Sequence, residues 1–190
     1  MIILSSCDFR NTNSREVILN NLPKPIGQCK VLFFPNEKAT LEDIYSEKYH
    51  ARLQGFGFRK GNIHIFDYYN PKNFQNLDLD VIYISGGNTF KTLQRIRKCA
   101  FEKEIIHYVE HGVTYVGGSA GAHIATKDIS HLVEFDPLPE DMDDCNGLGL
   151  FDGILVCHYT PLRQLVLDRL QNISRFPVFA LTDEESIVIE

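Results

Sequence analysis

Apolar residues in this chain fall into short unbroken runs separated by polar stretches with helical spacing. The runs at 2–5, 30–35, 63–66, 81–84, 113–116, 154–157, 178–181 and 187–189 predict strands. Their apolar continuity, in place of period-two alternation, marks strands covered on both faces. Helices are predicted between them. Ser14 caps one that runs to Leu22, with Pro23 and Pro25 beyond its end. Thr40 caps another that carries Leu41, Ile44, Tyr45 and Leu53 and stops near Gly55 and Gly57. Further helices are expected over 89–99, 102–111, 120–127 and 162–172, and 71–79 reads as loop. Beyond residue 127, Pro137, Pro139, Asp141, Asp143, Asp144, Gly147 and Gly149 forbid a long regular element. Strands alternating with helices, without a repeat or linker, predict one α/β domain over 1–190. Its architecture is three layers, αβα, around a mostly parallel sheet.

A chain of 190 residues is long enough to bury a substantial core, and 44% hydrophobic with 23% charged residues is a globular composition. The net charge of −6 argues against a nucleic-acid backbone or an anionic membrane as the main partner. Five cysteines occur without a C-x-x-C pair, so spacing indicates neither a zinc site nor a disulfide framework, in keeping with a reducing compartment. The apolar run at 1–4 is too short for a signal peptide or a membrane span. The expectation is a cytoplasmic protein without cofactor or metal, monomeric or a small homo-oligomer.

The chemistry centres on Gly117-Gly118-Ser119-Ala120-Gly121. A β-branched run enters it and a small-residue segment with helical prospects leaves it. This is the G-x-S-x-G arrangement of a nucleophile elbow, with Ser119 at the apex of a strand–turn–helix. Side chains at Gly117 or Gly121 are expected to collide with the adjoining strand or helix. The helix start would present its free N–H groups to Ser119, with the Ala120 N–H as an oxyanion donor. The same short pattern also fits a Gly-rich turn with a capping serine.

A serine nucleophile needs a base, and the base an acid that fixes its tautomer. Of seven histidines, His158 is the one that directly follows an apolar strand. His123 lies one turn beyond Ser119, placed to line a pocket rather than to act as base. His107 and His111 have the i, i+4 spacing of metal ligands but no evident third ligand, which reads as a solvated helix face. Asp183, Glu184 and Glu185 follow the 178–181 strand; Asp183 is the first choice for the acid and Glu184 the alternative. Ser85-Gly86-Gly87-Asn88 sits between a strand and a helix, a turn able to bind an anion through backbone N–H groups, and the Gly87 N–H is the expected second oxyanion donor. Ligands of open parallel sheets bind outside the carboxyl ends of the strands, so all these residues are expected along one edge.

Four segments together, Ile84-Ser85-Gly86-Gly87-Asn88-Thr89-Phe90, Gly118-Ser119-Ala120-Gly121-Ala122, His158-Tyr159-Thr160 and Leu181-Thr182-Asp183, resemble the peptidase E family of aspartyl dipeptidases. The resemblance covers nearly the whole chain. It implies the class I glutamine-amidotransferase-like fold and hydrolysis of short peptides, dipeptides with N-terminal Asp among them, by Ser119, His158 and Asp183 or its neighbour. It also implies substrate contacts from Asn88, His123 and an acidic residue at Glu134 or Asp136. Arg163 is the basic residue nearest His158 for a substrate carboxylate. The chain departs from the family pattern at His123, where Asn is usual, and after His158, where Thr160-Pro161-Leu162-Arg163 replaces a longer Thr-Arg-Glu loop. Its ending in a strand implies a C-terminus shorter than the family's. The alternatives are a glutaminase-type relative, which would need Cys at the elbow, and a non-catalytic binder of small molecules.

Overall fold

The computed structural model describes residues 1–142 and 144–190. Asp143, one of the acidic residues read above as breaking regular structure, lies outside the described residues. Six strands form the main sheet: β1 (Ile2–Ser5), β2 (Val31–Phe34), β3 (Ile63–Ile65), β4 (Val81–Ile84), β5 (Thr114–Gly118) and, from the chain's end, β8 (Ser186–Ile189). Their order is β3-β2-β4-β5-β1-β8. All pairings are parallel except that of β8, which runs antiparallel along β1 with Ile2 opposite Ile189.

Two faces of this sheet carry separate helical layers. Phe33 points to one face, where it meets Tyr49 of α3 (Lys48–Phe56) and Tyr83 at ring separations of 5.4 and 5.1 Å. Its neighbour Phe34 points to the other, against Phe66 and Phe101, the residue before α5 (Glu102–Glu110). Right-handed crossovers give the same division: α1 (Thr12–Asn21), α2 (Leu41–Tyr45) and α3 precede strands that step one way along the sheet, whereas α4 (Thr89–Lys98) and α5 precede a step the other way. The inner strands β1, β2, β4 and β5 are buried throughout, as their unbroken apolar runs require, whereas β3 and β8 at the two edges are partly exposed.

The structure departs from the sequence pattern in four places. Asn11, not Ser14, caps α1, because its side chain accepts the N–H groups of Asn13 and Ser14. The helix begun at Thr40, with its capping box to Asp43, breaks at Ser46, whose extended backbone separates α2 from α3. The elbow helix α6 spans only Ala120–Ile124, because Thr126 and Asp128 turn aside to bridge Phe151 and Asn146. The largest difference concerns β6 (Ile154–Val156) and β7 (Val178–Ala180). They pair with each other in parallel and form no ladder with the main sheet. With α7 (Gln164–Ile173) they gather round a small cluster of Val156, Leu167 and Leu170.

The tightest constraint lies at the elbow. A Cβ on Gly121 would stand 2.0 Å from the Ile84 carbonyl oxygen of β4, and one on Gly117 would stand 2.6 Å from the Gly121 carbonyl oxygen. Both contacts are to backbone, so no side-chain rotation relieves them. We predict that Gly121→Ala destabilises the fold by about 3 kcal/mol or more in denaturant melts. Gly61→Ala, which meets open space, should stay within about 0.5 kcal/mol of wild type. Equal stability of the two variants would mean that α6 does not need this close approach.

Candidate active site

β5 ends at Gly118 and the chain reverses at Ser119, whose φ of 50° and ψ of −107° are strained for a residue with a side chain. Such a conformation costs about 1–3 kcal/mol and is held by the surrounding packing. Here the Ser119 N–H is fixed to the Ser5 carbonyl at 2.8 Å. Its hydroxyl projects toward the loop that follows β6. There His158, also at positive φ (55°), places Nε2 2.8 Å from Ser119 Oγ. On the far side of the ring, Nδ1 lies 2.6 Å from Asp183 Oδ1. An ionised carboxylate only accepts, so the ring proton belongs on Nδ1 and the Nε2 lone pair faces the serine hydroxyl. The same hydrogen bond holds the Asp183 carboxyl below its ordinary range.

The neighbouring acids point elsewhere. Glu184 accepts from Asn13 Nδ2 at 3.3 Å, and Glu185 accepts the Thr182 N–H at 2.7 Å, closing the turn.

The Gly-rich turn after β4 is already partly occupied by the chain's own carboxylates. Glu37 accepts the Asn88 N–H at 3.0 Å and Asp136 the Thr89 N–H at 2.7 Å. This leaves the Gly87 N–H without an acceptor among the described residues. The Ala120 N–H opens α6, where the first N–H groups have no intrahelical partner.

Ser119, His158 and Gly87 share a pocket of about 200 Å³ with His123, Phe135, Asp136 and Arg163. Arg163 lies over the Phe135 ring at 4.6 Å and donates one N–H to the Cys157 carbonyl at 2.6 Å. A larger cleft of about 400 Å³, between Tyr68, Tyr69, Arg95 and Lys98, contains none of these groups.

The sequence model of peptidase family S51 matches residues 1–190. The chain belongs to this family. It is 33% identical over 118 residues to the peptidase E of Shewanella amazonensis, covering 62% of this chain and 48% of that one. It is 32% identical over 113 residues to a proposed alpha-aspartyl dipeptidase of Drosophila melanogaster, covering 58% and 45%. The chain spans about half the length of the curated relatives it matches. In fold it is similar to the crystal structure of a proposed peptidase E protein from Listeria monocytogenes EGD-e. The TM-score is 0.75 at 21% identity, over 99% of this chain and 93% of that one.

Among the other residues singled out in this S51 chain, two are not brought to the pocket. Asn88 caps α4, accepting the Lys91 N–H at 2.8 Å and donating to the Pro137 carbonyl. Glu134 pairs with Arg169 on the surface, whereas Asp136, the other acidic residue considered, lines the pocket. His107 and His111 lie at the end of α5 with ring centroids 4.0 Å apart and join no three-ligand group among the described residues.

Residues just after β1, which no motif marks, also reach the site. Ser6 Oγ accepts the His158 N–H at 2.8 Å and donates to Asp183 Oδ1 at 3.3 Å. Asp8, fully buried, pairs with Arg10 Nε at 3.1 Å and accepts from Ser85 Oγ at 3.2 Å. The polar run Ser5-Ser6-Cys7-Asp8 directly behind a buried strand was the available signal.

His123 is buried, accepts the Cys157 N–H through Nε2 at 3.4 Å, and is held neutral by burial, far below the ordinary value of 6.5. His131, at a ring separation of 5.9 Å, is lowered by burial as well. Each ring binds a proton more readily in the unfolded chain than in the folded one. Stability is therefore full above 6.5 and falls as the pH drops below it, toward the depressed folded-state values. We predict that the Tm falls as the pH is lowered below 6.5, and that His123→Asn flattens this slope in thermal melts across the range. An unchanged slope would show that His123 is not the group taking up the proton.

Proposed function

We propose that this chain is a serine-type peptidase acting on very short peptides, dipeptides with N-terminal aspartate among them. The observation that carries the reading is the line of contacts from Ser119 Oγ to His158 Nε2 (2.8 Å) and from His158 Nδ1 to Asp183 (2.6 Å) beside one small pocket. In this reading Ser119 attacks the scissile carbonyl as Nε2 takes its proton. Asp183 keeps the ring in the required tautomer and offsets the imidazolium charge that forms. The Gly87 and Ala120 N–H groups receive the developing oxyanion. His158 then hands its proton to the leaving amine, and water activated by the same base releases the acyl group.

The size of the pocket supports the choice of a short substrate. A volume of about 200 Å³ falls below the range of about 300–1,000 Å³ usual for drug-sized ligands, so it suits one amino-acid residue rather than a length of polypeptide. Its charges support an N-terminal aspartyl residue. The Arg163 N–H groups not used by Cys157 would face the side-chain carboxylate, and Asp136 would face the α-ammonium. The name of the Drosophila relative points to the same substrate class.

Ser119→Ala should abolish dipeptide hydrolysis, with a loss on the order of 10⁶ in turnover, while the fold persists. Asp183→Asn should cost on the order of 10⁴, and Glu184→Gln very little. Arg163→Met should raise KM for Asp-Xaa peptides and spare neutral ones. Steady-state assays on a dipeptide panel check all four. Residual turnover in purified Ser119→Ala would overturn the mechanism. Equal effects of Arg163→Met on acidic and neutral substrates would overturn the aspartate preference alone.

A further inference from the structure

Sequence spacing offered no metal-ligand cluster, but folding creates one. Cys7, in the turn after β1, joins His158 and Asp183 so that one donor atom of each lies within 4.8 Å of the other two. We infer that these three residues form an inhibitory zinc site laid over the catalytic contacts. That the ion inhibits rests on the reading of His158 as base; the site itself rests on geometry.

A thiolate, an imidazole nitrogen and a carboxylate are a donor set that suits Zn²⁺, with a fourth tetrahedral position left for water. Metal–ligand lengths of about 2.3 Å to sulfur and about 2.0–2.2 Å to nitrogen and oxygen place tetrahedral donors roughly 3.3–3.6 Å apart. To enter that frame Nδ1 and Oδ1, now hydrogen-bonded at 2.6 Å, must part by somewhat under 1 Å, and the Cys7 sulfur, within 4.8 Å of the other donors, must close onto the ion. The Asp183 side chain is 61% exposed, which gives the ion a way in. Cys7 is a free thiol and only partly buried.

The inhibition follows from the proton count. Zinc binding releases the Cys7 thiol proton to solvent. His158 gives the metal its Nδ1 lone pair and so carries its single proton on Nε2, with no net change at the ring. Nε2 then points an N–H at Ser119 Oγ instead of a lone pair, and the serine has no base. Asp183, turned to the metal, no longer fixes the productive tautomer.

The test uses the whole chain, freed of metal by a chelator, with Zn²⁺ and Co²⁺ as probes. Calorimetry should show one Zn²⁺ per chain, and Co²⁺ should give a thiolate-to-metal charge-transfer band. Cys7→Ser should lose the band while keeping the wild-type melting curve. Zinc should slow wild-type labelling by a fluorophosphonate serine probe, and hydrolysis of Asp-Xaa, by about 10²-fold or more, the usual worth of a general base. Chelator should reverse this, and Cys7→Ser should work in the absence of zinc and ignore its addition. Absence of the cobalt band in wild type would overturn the site without calling on any variant. Undiminished zinc inhibition in Cys7→Ser would overturn it too, by placing the ion elsewhere. A cobalt band in a chain that never hydrolyses any peptide would instead count against the peptidase reading and leave the metal site standing.

Discussion

The active end of this molecule depends on how closely α6 lies on β4 and β5. Main-chain atoms of the helix start and of the two strands meet where side chains would normally stand, and the missing Cβ atoms of Gly117 and Gly121 make that possible. Three consequences follow from that one approach. The chain must reverse within a single residue, which forces Ser119 to positive φ. The serine hydroxyl then stands clear of both elements. The Ala120 N–H is left at the reversal, close to the turn that carries Gly87. The strain at Ser119 is offset by buried packing, from Tyr115 and Val116 on one side to Ala122 and Ile124 on the other, with the Tyr115 hydroxyl donating to the Gly121 carbonyl at 2.7 Å.

The partners of Ser119 hang from a different body. His158 and Asp183 follow β6 and β7, whose two-stranded ribbon is not hydrogen-bonded into the main sheet. What replaces a ladder is a row of side chains along the β6 backbone. His131 Nε2 meets the Leu155 carbonyl at 2.8 Å, His123 accepts the Cys157 N–H, Arg163 donates to the Cys157 carbonyl, and Ser6 accepts the His158 N–H. Buried backbone groups need such partners, and two of those supplied here, His123 and Arg163, also wall the pocket. The two buried histidines are thus scaffold; burial lowers the proton affinity of both, and His123 needs its Nε2 lone pair free to accept the Cys157 N–H. His123, singled out as a pocket residue, does line the pocket, and does so while bracing the strand that carries His158.

The parts of this arrangement that depend on local pattern were legible in the sequence. Continuous apolar runs located all the strands, and the glycines flanking Ser119 announced the elbow, because both follow from backbone sterics within a few residues. Thr40 was readable as a cap for the same reason, whereas Asn11 was not, since Ser14 offered an equally good local signal and only the entry of the chain from β1 decides between them. The pairing of β6 with β7 rather than with the main sheet was not legible, because a short apolar run looks the same in either sheet. Long-range polar contacts were equally hidden. Nothing near Ser6 or Asp8 in sequence hints at residues 158, 183 or 85, and Glu134 and Asp136 differ only in which of them meets Arg169 or the Thr89 N–H. Asp183 was preferred over Glu184 for its closeness to the strand end, and the turn closed by Glu185 is what aims it at His158.

The distribution of charge bears on how such a site would favour a transition state over bound substrate. The turn after β4 offers several N–H donors, and an open cluster of that kind would hold any passing anion. Glu37 and Asp136 cap two of them, so the turn carries negative charge of its own, while the Gly87 N–H at the pocket keeps no acceptor among the described residues. A carboxylate or phosphate is repelled from such a place. A neutral carbonyl is not, and under the proposed mechanism it would gain hydrogen-bond strength from Gly87 and Ala120 as negative charge builds on its oxygen. Donors that grow in worth only as the reaction proceeds lower the barrier rather than deepen the ground state. By this argument the acids beneath the turn belong to the catalytic design as much as the donors do, although neither would touch the reacting atoms. Arg163, across the pocket and free of any carboxylate partner among the described residues, would then be the place where the proposed substrate's own negative charge is welcome.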